Sequence, residues 1–468
     1  MSTEALNVQA ELRDLISPEL AWRYKVVPFE LSNEGLCLWC TGEGIGLKQE
    51  LEVILGKPVV LKAAPEAAID RALGHHYRRA AVSSGIELKG KDTDSVLQDL
   101  VYEARALGSS DIHIESYDGI ARVRIRIDGQ LVERHRYDRN LHQGVVNRIK
   151  VQAGLDISEK RLPQDGRMLL SGQQDRMDIR VSVLPTLHGE KAVLRLLGQD
   201  AGHLRIEDLG MDDRQLHDYR SAIHRPHGLI LISGPTGSGK TTTLYATLKE
   251  LNETKRNIVT VEDPIEYTLE GINQVQLREQ IGLTFSQALR SFLRQDPDVI
   301  MLGEIRDADT ANMAVRAALT GHLVLSTVHT NSAWGTIGRL ADMGVPLYLL
   351  ASTLNLSVAQ RLVRLLCPKC ARTTAAANDE ASNLTQEIRT REPIGCESCH
   401  YTGYSGRRAV YEVIRMDDEL RALLRSSAAD SGAVVRAKGI KSLAESGKEL
   451  VQLGLTSIEE ATSLSDSH

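Results

Sequence analysis

The residues with the most specific chemical pattern form a glycine-rich run. Residues 234–241 read Gly-Pro-Thr-Gly-Ser-Gly-Lys-Thr and directly follow the apolar stretch 229–233. Glycines let backbone N–H groups turn toward phosphate oxygens at the N-terminus of the next helix, here predicted over 240–251. This strand–loop–helix context is what a Walker A match requires. We therefore predict ATP binding by Gly234, Pro235, Thr236, Gly237, Ser238, Gly239, Lys240, Thr241 and Thr242.

Two side chains of this loop and one glutamate downstream predict phosphoryl transfer. Lys240 adds a positive charge beside the phosphates, and the Thr241 hydroxyl can ligate Mg²⁺. The strand-like segment 298–302 ends in Gly303-Glu304, with a glycine where many P-loop enzymes place the magnesium-binding aspartate. Glu304 can orient or deprotonate the attacking water. The alternative is a solvated loop carboxylate.

Further candidates follow two other apolar strands. Glu262 belongs to an acidic run after the strand 258–261 and can supply the missing metal or water contact. Alternatively, these acids only cap the turn before Pro264. His322 and His329 flank the apolar run 323–327. His329 lies at the carboxyl end, where doubly wound sheets bind ligands, so it is favoured as a γ-phosphate sensor over a structural histidine. For His322 both interpretations stay open.

The six cysteines form three Cys-x-x-Cys pairs, and two of the pairs suit a metal. Cys367/Cys370 and Cys396/Cys399 have the form of a Cys₄ zinc site, in which two short knuckles orient four thiolates tetrahedrally. All four positions are filled by protein, so the predicted Zn²⁺ is structural, and the alternative is a set of buried free thiols. The remaining pair, Cys37 and Cys40, faces opposite sides of a predicted strand and is assigned to packing.

Composition limits the remaining classes of protein. The net charge of −6 and the aromatic content of 4% argue against nucleic acid as a partner. No apolar run approaches the ~18 residues that a membrane-spanning helix needs. The polar start of the chain does not resemble a secretory signal. We therefore expect a cytoplasmic protein that reaches a membrane only through partner proteins.

The elements that position these residues change in character along the chain. Apolar strands alternate with helical segments from Gly228 onward, which predicts a parallel, helix-flanked α/β sheet. Residues after 345 are predicted to be mostly helical apart from the cysteine-bearing insertion. The predicted divisions are a small N-terminal α/β partner-docking module at 1–80, a linker at 81–94, a middle α+β domain at 95–200, a P-loop motor domain at 201–366, a Cys₄ zinc insertion at 367–403 and a helical C-terminal part of the motor at 404–468.

Four segments in this order resemble those of the ATPases that power type II protein secretion and type IV pilus assembly. They correspond to the Walker A, Asp box, Walker B and His box motifs of that family, and they contain Lys240, Glu262, Glu304 and His329. The resemblance extends from about residue 90 to the C-terminus. Other segments that carry it are 108–116, 154–167, 178–191, 402–412 and 454–460.

The resemblance implies a RecA-like motor domain preceded by a PAS-like middle domain, assembled as a homo-hexameric ring. ATP then lies between the two domains, where Arg180 and Arg195 of the middle domain reach the phosphates. Arg290 and Arg294 are the motor-domain counterparts. Three other arginines, Arg122, Arg124 and Arg126, alternate with apolar residues and are most simply the wet face of a half-buried strand, with a subunit contact as the alternative.

The resemblance further implies that the chain couples ATP turnover to an inner-membrane apparatus. Residues 1–80 are expected to dock to the cytoplasmic domain of a membrane protein, and the motor to act on a polytopic platform protein. The Cys₄ insertion is typical of secretion and pilus-extension ATPases and is usually missing from retraction ATPases. The short N-terminal region favours type II secretion over pilus assembly. A DNA-translocating ring ATPase and a small-molecule kinase are the disfavoured alternatives.

Overall fold

The computed structural model divides into two compact units. The first holds the described residues up to 196 with 366–373 and 391–406, and the second holds 204–365, 390 and 407–464. No helix in the described parts is both long enough and apolar enough to cross a bilayer. The described residues are 10–13, 15–32, 34–42, 45–77, 93–171, 176–196, 204–373, 390–426 and 438–464.

The first unit begins with a three-stranded sheet over short helices. The first two strands form the predicted antiparallel hairpin, and the third pairs in parallel with the second. Cys37 and Cys40 are both buried in the second strand. The elements are α1 (Ala10–Arg13), α2 (Pro18–Tyr24), β1 (Val26–Ser32), β2 (Gly35–Cys40), α3 (Ile45–Leu55), β3 (Val59–Ala63) and α4 (Glu66–His76).

A six-stranded antiparallel sheet follows the predicted linker, of which residues 81–92 lie outside the described part. Its strand order is β6-β5-β4-β9-β8-β7. Leu97 and Val101 of one helix and Val146 of the other pack on the sheet in one apolar core, as expected for an α+β domain. The helix Arg139–Gln152 and the strand Gln164–Ser171 are additional to the predicted elements. The elements are α5 (Thr93–Ala106), β4 (Asp111–Ser116), β5 (Ile120–Ile127), β6 (Gln130–Asp138), α6 (Arg139–Gln152), β7 (Gln164–Ser171), β8 (Arg176–Thr186) and β9 (Gly189–Leu196).

The second unit is built on the predicted parallel sheet. Strands in the order β12-β11-β13-β14-β10 pair in parallel. Apolar clusters cover both faces of the sheet, so its strands are continuous apolar runs. The elements are α7 (Asp213–Ile223), β10 (Gly228–Ser233), α8 (Lys240–Leu251), β11 (Ile258–Glu262), β12 (Asn273–Gln276), α9 (Phe285–Phe292), β13 (Val299–Leu302), α10 (Ala308–Leu319), β14 (Leu323–Val328), α11 (Gly335–Asp342) and α12 (Leu347–Thr353).

The prediction that residues after 345 are mostly helical is wrong. Two long strands, β15 (Leu354–Leu366) and β18 (Tyr404–Arg415), extend the sheet beyond β10. Strand β15 is buried along most of its length although polar residues interrupt its apolar pattern, because those polar side chains find partners inside the fold. In β18, residues 409–414 are buried and residues 405–408 are exposed. Between β15 and β18, β16 (Arg372–Thr373) pairs with β17 (Arg391–Glu392). The final helices are α13 (Asp418–Ser426), α14 (Leu443–Gln452) and α15 (Ile458–Thr462).

Candidate active site and metal centre

The glycine-rich loop lies between the buried strand β10 and the N-terminus of α8. Gly234, Gly237 and Gly239 have φ values of 150°, 80° and 89°, in the region that favours glycine. A Cβ on Gly234 would lie 2.5 Å from the carbonyl oxygen of Gln360, and one on Gly239 would lie 2.8 Å from the Gln360 amide nitrogen. Glycine is therefore required both for the turn and for the close approach of β15.

Lys240 lies folded over this loop. Its Nζ donates hydrogen bonds to the carbonyl oxygens of Gly234, at 2.8 Å, and Pro235, at 3.0 Å. Burial lowers the pKa of Lys240, the nearby carboxylate of Glu304 opposes that shift, and the guanidinium of Arg361 adds to it. The ammonium group is thus held at the loop within the field of both charged residues.

The loop residues fit a polyphosphate. The hydroxyl of Ser238 is buried, and no group of the described residues hydrogen-bonds to it. A buried donor at the N-terminus of a helix, beside a lysine, suits an anion. The side chain of Thr241 is exposed at the first turn of α8, so its hydroxyl is accessible as a magnesium ligand.

Glu304 and His329 come together just beyond the ends of β13 and β14. His329 Nε2 lies 3.2 Å from Glu304 Oε2, and Arg306 pairs with the other carboxylate oxygen. The Glu304 side chain is 16% exposed and that of His329 is 52% exposed. Thr327 Oγ1 donates to the Gly303 carbonyl at 2.8 Å, which joins the two strand ends. The structure therefore places a carboxylate and an imidazole side by side, near enough to Lys240 to act on its charge.

Glu262 is held inside the fold at the end of β11. Its side chain is buried and accepts hydrogen bonds from Thr260 Oγ1 at 2.6 Å, Gln274 Nε2 at 3.1 Å and the Tyr245 hydroxyl. Burial, together with the adjacent Glu262 carboxylate, raises the pKa of Tyr245, so Tyr245 stays a donor. The oxygens of Glu262 thus already accept three hydrogen bonds within the fold. Its predicted role in hydrolysis stays a prediction.

The two histidines that flank β14 have different surroundings. His322, before the strand, lies with its Nδ1 3.0 Å from the Ala317 carbonyl oxygen and 3.2 Å from Thr320 Oγ1. These contacts favour the structural interpretation of His322, since they fix the end of α10. Of the two histidines, His329 is the one that contacts Glu304.

The predicted arginines fall into two groups. Arg180 and Arg195 lie directly opposite each other on β8 and β9 of the first unit, and Arg195 Nε lies 3.0 Å from Asp111 Oδ1. Arg290 and Arg294 are exposed on or just after α9, and Arg294 Nη1 donates to the Arg290 carbonyl at 2.9 Å. The predicted contacts of these four arginines with phosphate stay predictions.

The alternating arginines of β5 line the half-buried face of the middle sheet. Arg122 and Arg124 both bind Glu115, at 3.1 and 2.7 Å, and Arg126 lies 3.4 Å from Asp111. Burial raises the pKa of Glu115, but hydrogen bonds from Arg124 and Lys191 outweigh burial and bring the pKa to about 2. These contacts favour a strand face that is neutralised within the sheet.

Sequence reasoning missed Arg361, which lies on β15 next to the P-loop. The arginine is 8% exposed and donates to the carbonyl oxygens of Gln360 and Asn331, each at 3.1 Å. An arginine in an apolar stretch is ordinarily assigned to the surface, so the residue type gave no signal. The feature that identifies Arg361 is its place on the strand next to β10, and only the order of strands in the sheet reveals it.

The carboxyl group of Glu412, on β18, is buried and interacts with the charge of Arg361. Its pKa predicts how the stability of the protein depends on pH. Burial raises the pKa of Glu412 to about 6, against the opposing charge of Arg361. Ionisation of Glu412 therefore lowers the free energy of unfolding by about 2 kcal/mol. This loss is absent below about pH 4.5 and complete above about pH 6. We expect the free energy of unfolding of Glu412→Gln, relative to that of the wild type, to rise by about 2 kcal/mol from about pH 4.5 to about pH 7.5. Urea unfolding of both proteins at the two pH values measures this difference. A difference that does not change with pH would contradict this assignment.

The four cysteines at 367–399 form a compact cluster. The Sγ–Sγ distances are 3.9 Å for Cys367–Cys396, 3.7 Å for Cys370–Cys399 and 3.8 Å for Cys396–Cys399. A tetrahedral zinc with Zn–S bonds of ~2.3 Å needs sulfurs about 3.8 Å apart. Backbone N–H groups of Cys396 and Gly403 approach Cys399 Sγ at 3.1 and 3.3 Å, which favours a thiolate. The donor set and its geometry therefore fit structural Zn²⁺.

Zinc content gives a direct prediction for this cluster. We expect one zinc ion per chain, and we expect Cys399→Ser to lose it, because one thiolate ligand of four is removed. Elemental analysis of the purified protein measures the content, and limited proteolysis reports whether residues 390–406 open. Cys37→Ser, in the other described Cys-x-x-Cys pair, is the control and should retain zinc. Stoichiometric zinc in Cys399→Ser would contradict the assignment.

A glycine-rich loop between a parallel strand and a helix, with an acid at a nearby strand end, defines the class of P-loop ATPases. The comparisons with known proteins narrow the class. The chain belongs to the family described as type II/IV secretion system protein, which matches residues 89–463. Residues 1–83 match the MshEN domain.

Relatives of known name include both secretion and pilus proteins. Type II secretion system protein E of Pseudomonas aeruginosa is 41% identical, with 96% of this chain and 98% of that protein covered. Type IV pilus assembly ATPase PilB of Myxococcus xanthus is 40% identical, with 97% and 86% covered. The solved structure of the pilus retraction motor PilT with bound ADP matches with a TM-score of 0.55 and 28% identity, over 78% of this chain and 96% of PilT. These matches confirm the predicted family, the α/β fold and the ATPase activity. The predicted cofactors of this ATPase are ATP, Mg²⁺ and Zn²⁺, in agreement with the family and with the four-cysteine cluster.

Proposed function

We propose that this ATPase powers protein export by a type II secretion system. Over nearly the whole chain, one relative of each kind has similar identity, 41% for the secretion protein of P. aeruginosa and 40% for PilB. Over 80% of this chain, type II secretion system protein E of Dickeya dadantii reaches 48% identity, and this higher identity supports secretion. Pilus assembly is the alternative output of the same chemistry.

The observation that carries the mechanism is the pair formed by Glu304 and His329 at the ends of neighbouring strands beside the P-loop. Glu304 accepts a proton from the water that attacks the γ-phosphorus, while the bond from that phosphorus to the bridging oxygen breaks and ADP leaves. His329 donates to Glu304 or to the γ-phosphate through Nε2 and so ties the carboxylate to the presence of that group. General-base help of this kind contributes about 10²–10⁴ in rate.

Binding and charge compensation fall to the loop. Backbone N–H groups of Gly237 and Gly239 and the side chain of Lys240 hold the phosphates. When bound, Mg²⁺ neutralises charge on the phosphate oxygens, and the Thr241 hydroxyl is the accessible loop side chain suited to ligate it. Glu262 supports the site from β11 through its hydrogen bonds with Tyr245 and Gln274.

The working form is proposed to be a homo-hexameric ring in which Arg180 and Arg195 reach the bound phosphates. Arg180 and Arg195 lie directly opposite each other on β8 and β9, which supports their acting together on one anion. Arg195 is 61% exposed, which leaves its guanidinium accessible. Arg290 and Arg294, exposed on the motor unit, are their proposed counterparts.

Residues 1–80 are proposed to dock the motor to the cytoplasmic domain of an inner-membrane protein, next to a polytopic platform protein. The protein is then cytoplasmic and peripheral to the membrane through its partners. The MshEN match is separate from the match to the motor family, which supports a distinct role for this module. Nucleic acid is not a proposed partner, because the chain is net acidic.

The test is made in the organism that encodes the chain, with Glu304→Gln as the chromosomal copy. We expect exported proteins to accumulate inside the cell envelope while surface pili remain, as seen by immunoblots of culture supernatant and by electron microscopy. Glu270→Gln, in an exposed loop of the same unit, is the matched control and should export normally. Loss of pili with normal export would replace type II secretion by pilus assembly. Normal export and normal pili would overturn both.

A further inference from the structure

The buried Arg361 lies beside the P-loop because of how the sheet is ordered. Strand β15 pairs in parallel with β10, so that Ala359 lies opposite Ser233, the last residue before the loop. The next two residues of β15 therefore run alongside the loop itself. A Cβ on Gly234 would lie 3.2 Å from Arg361 Nη1, so the guanidinium packs against the first glycine of the P-loop.

The same guanidinium holds the loop that carries His329. Arg361 Nη2 donates to the Asn331 carbonyl at 3.1 Å and lies 3.4 Å from the Asn331 amide oxygen. Asn331 is two residues after His329, whose Nε2 lies 3.2 Å from Glu304 Oε2. One side chain thus joins the residues that hold phosphate to the residues that activate water.

The charge of Arg361 has no close counter-charge in the described part of the chain. Among the described residues, no carboxylate oxygen lies within 4.0 Å of a guanidinium nitrogen of Arg361, the distance that defines an ion pair. The charge of Glu412 interacts with the charge of Arg361 from a greater distance. Burying a cation without a close partner is costly. An anion bound in the adjacent loop offsets that cost, so Arg361 favours a polyphosphate there.

We infer that Arg361 is a positioning residue for ATP hydrolysis, which fixes the His329 loop relative to the P-loop and whose charge strengthens nucleotide binding. The inference deepens the proposed function and rests on its assignment of Glu304 and His329. The two contributions are separable. The forked guanidinium makes the link to Asn331, whereas any cation at this position supplies the charge.

The test compares Arg361→Lys, Arg361→Gln and the control Arg364→Gln in the full-length protein. Arg364 lies on the same strand but binds Glu460, with Nη2 2.6 Å from the carboxylate. We expect Arg361→Lys to keep the Kd for ADP within about threefold of the wild-type value and to lower kcat about tenfold or more. Arg361→Gln should also raise the Kd for ADP about tenfold. Fluorescence titration gives Kd, and phosphate release gives kcat and KM.

Thermal unfolding and zinc content identify any variant that fails to fold. A wild-type kcat in Arg361→Lys would overturn the link to the His329 loop. An unchanged Kd in Arg361→Gln would overturn the role of the charge, and equal losses in Arg364→Gln would mean a general effect of the strand. Failure of this inference leaves the proposed function standing, because the results that overturn that function are the export and pilus phenotypes of Glu304→Gln, which do not depend on Arg361.

Discussion

Replacing Lys240 by alanine is expected to lower ATP hydrolysis by a factor of about a hundred or more. The ammonium group lies at the P-loop, held by the carbonyl oxygens of Gly234 and Pro235, and supplies a positive charge for the phosphates. Alanine removes that charge and should weaken nucleotide binding as well. Phosphate release at saturating ATP and titration with a fluorescent ADP analogue measure the two losses. The fold and the zinc content should remain as in the wild type.

A lysine on the same helix provides the matched control for this variant. Lys249 lies in the last turn of α8, with its Nζ over the ring of Tyr267 rather than at the loop. Lys249→Ala should hydrolyse ATP at close to the wild-type rate. Retained turnover in Lys240→Ala would contradict the assignment of residues 234–241 as the phosphate loop.

Replacing Glu304 by glutamine is expected to leave ATP binding intact and to lower kcat by about 10²–10⁴. Glutamine has nearly the same shape and can keep a contact with His329, but it does not accept a proton from water. Both the loop and Lys240 are unchanged, so the Kd for ATP should stay within about threefold of the wild-type value. Steady-state phosphate release and equilibrium titration measure the two quantities.

The control for this variant is Glu270→Gln, which also removes one carboxylate from the second unit but lies in an exposed loop. It should leave both kcat and Kd unchanged. A wild-type kcat in Glu304→Gln would move the general base to another residue, with Glu262 as the next candidate. Loss of ATP binding in Glu304→Gln would instead indicate a role in holding the nucleotide.

Features whose signal is local could be predicted from the sequence. The phosphate loop and the two cysteine pairs depend on residues a few positions apart, so their spacing was sufficient to locate them. The strands β10, β11, β13 and β14 were predicted because a buried parallel strand is a short apolar run between helices. Glu304 and His329 were predicted to lie at strand ends, and those strands proved to be neighbours.

The C-terminal strands could not be predicted in the same way. In β15 the buried residues include Asn355, Ser357, Gln360 and Arg361, whose polar atoms break the apolar run that indicates a buried strand. Their partners are far away in the chain. For example, Thr243 Oγ1 donates to Gln360 Oε1 at 2.8 Å, and Arg225 Nη1 donates to Asn355 Oδ1 at 2.9 Å. Tertiary hydrogen bonds of this kind overrode the local pattern.

The site residues that sequence reasoning missed have the same physical origin. Arg361 belongs to the site because β15 lies next to β10, and Glu412 faces it from β18, an order that no local spacing encodes. The predicted domain boundaries remain predictions. The cysteine-bearing residues 367–373 and 391–403 group with the first unit rather than with the motor unit.

An acid-quenched single turnover tests the central claim most directly, because it separates the chemical step from binding and product release. ATP labelled at the γ-phosphate is bound to an excess of wild-type protein or of Glu304→Gln, and the fraction cleaved is measured over time. We expect the wild type to cleave the bound ATP and the variant to hold it intact for at least about a hundred times longer. Equal cleavage by the two proteins would contradict the account of Glu304 as the residue that activates water.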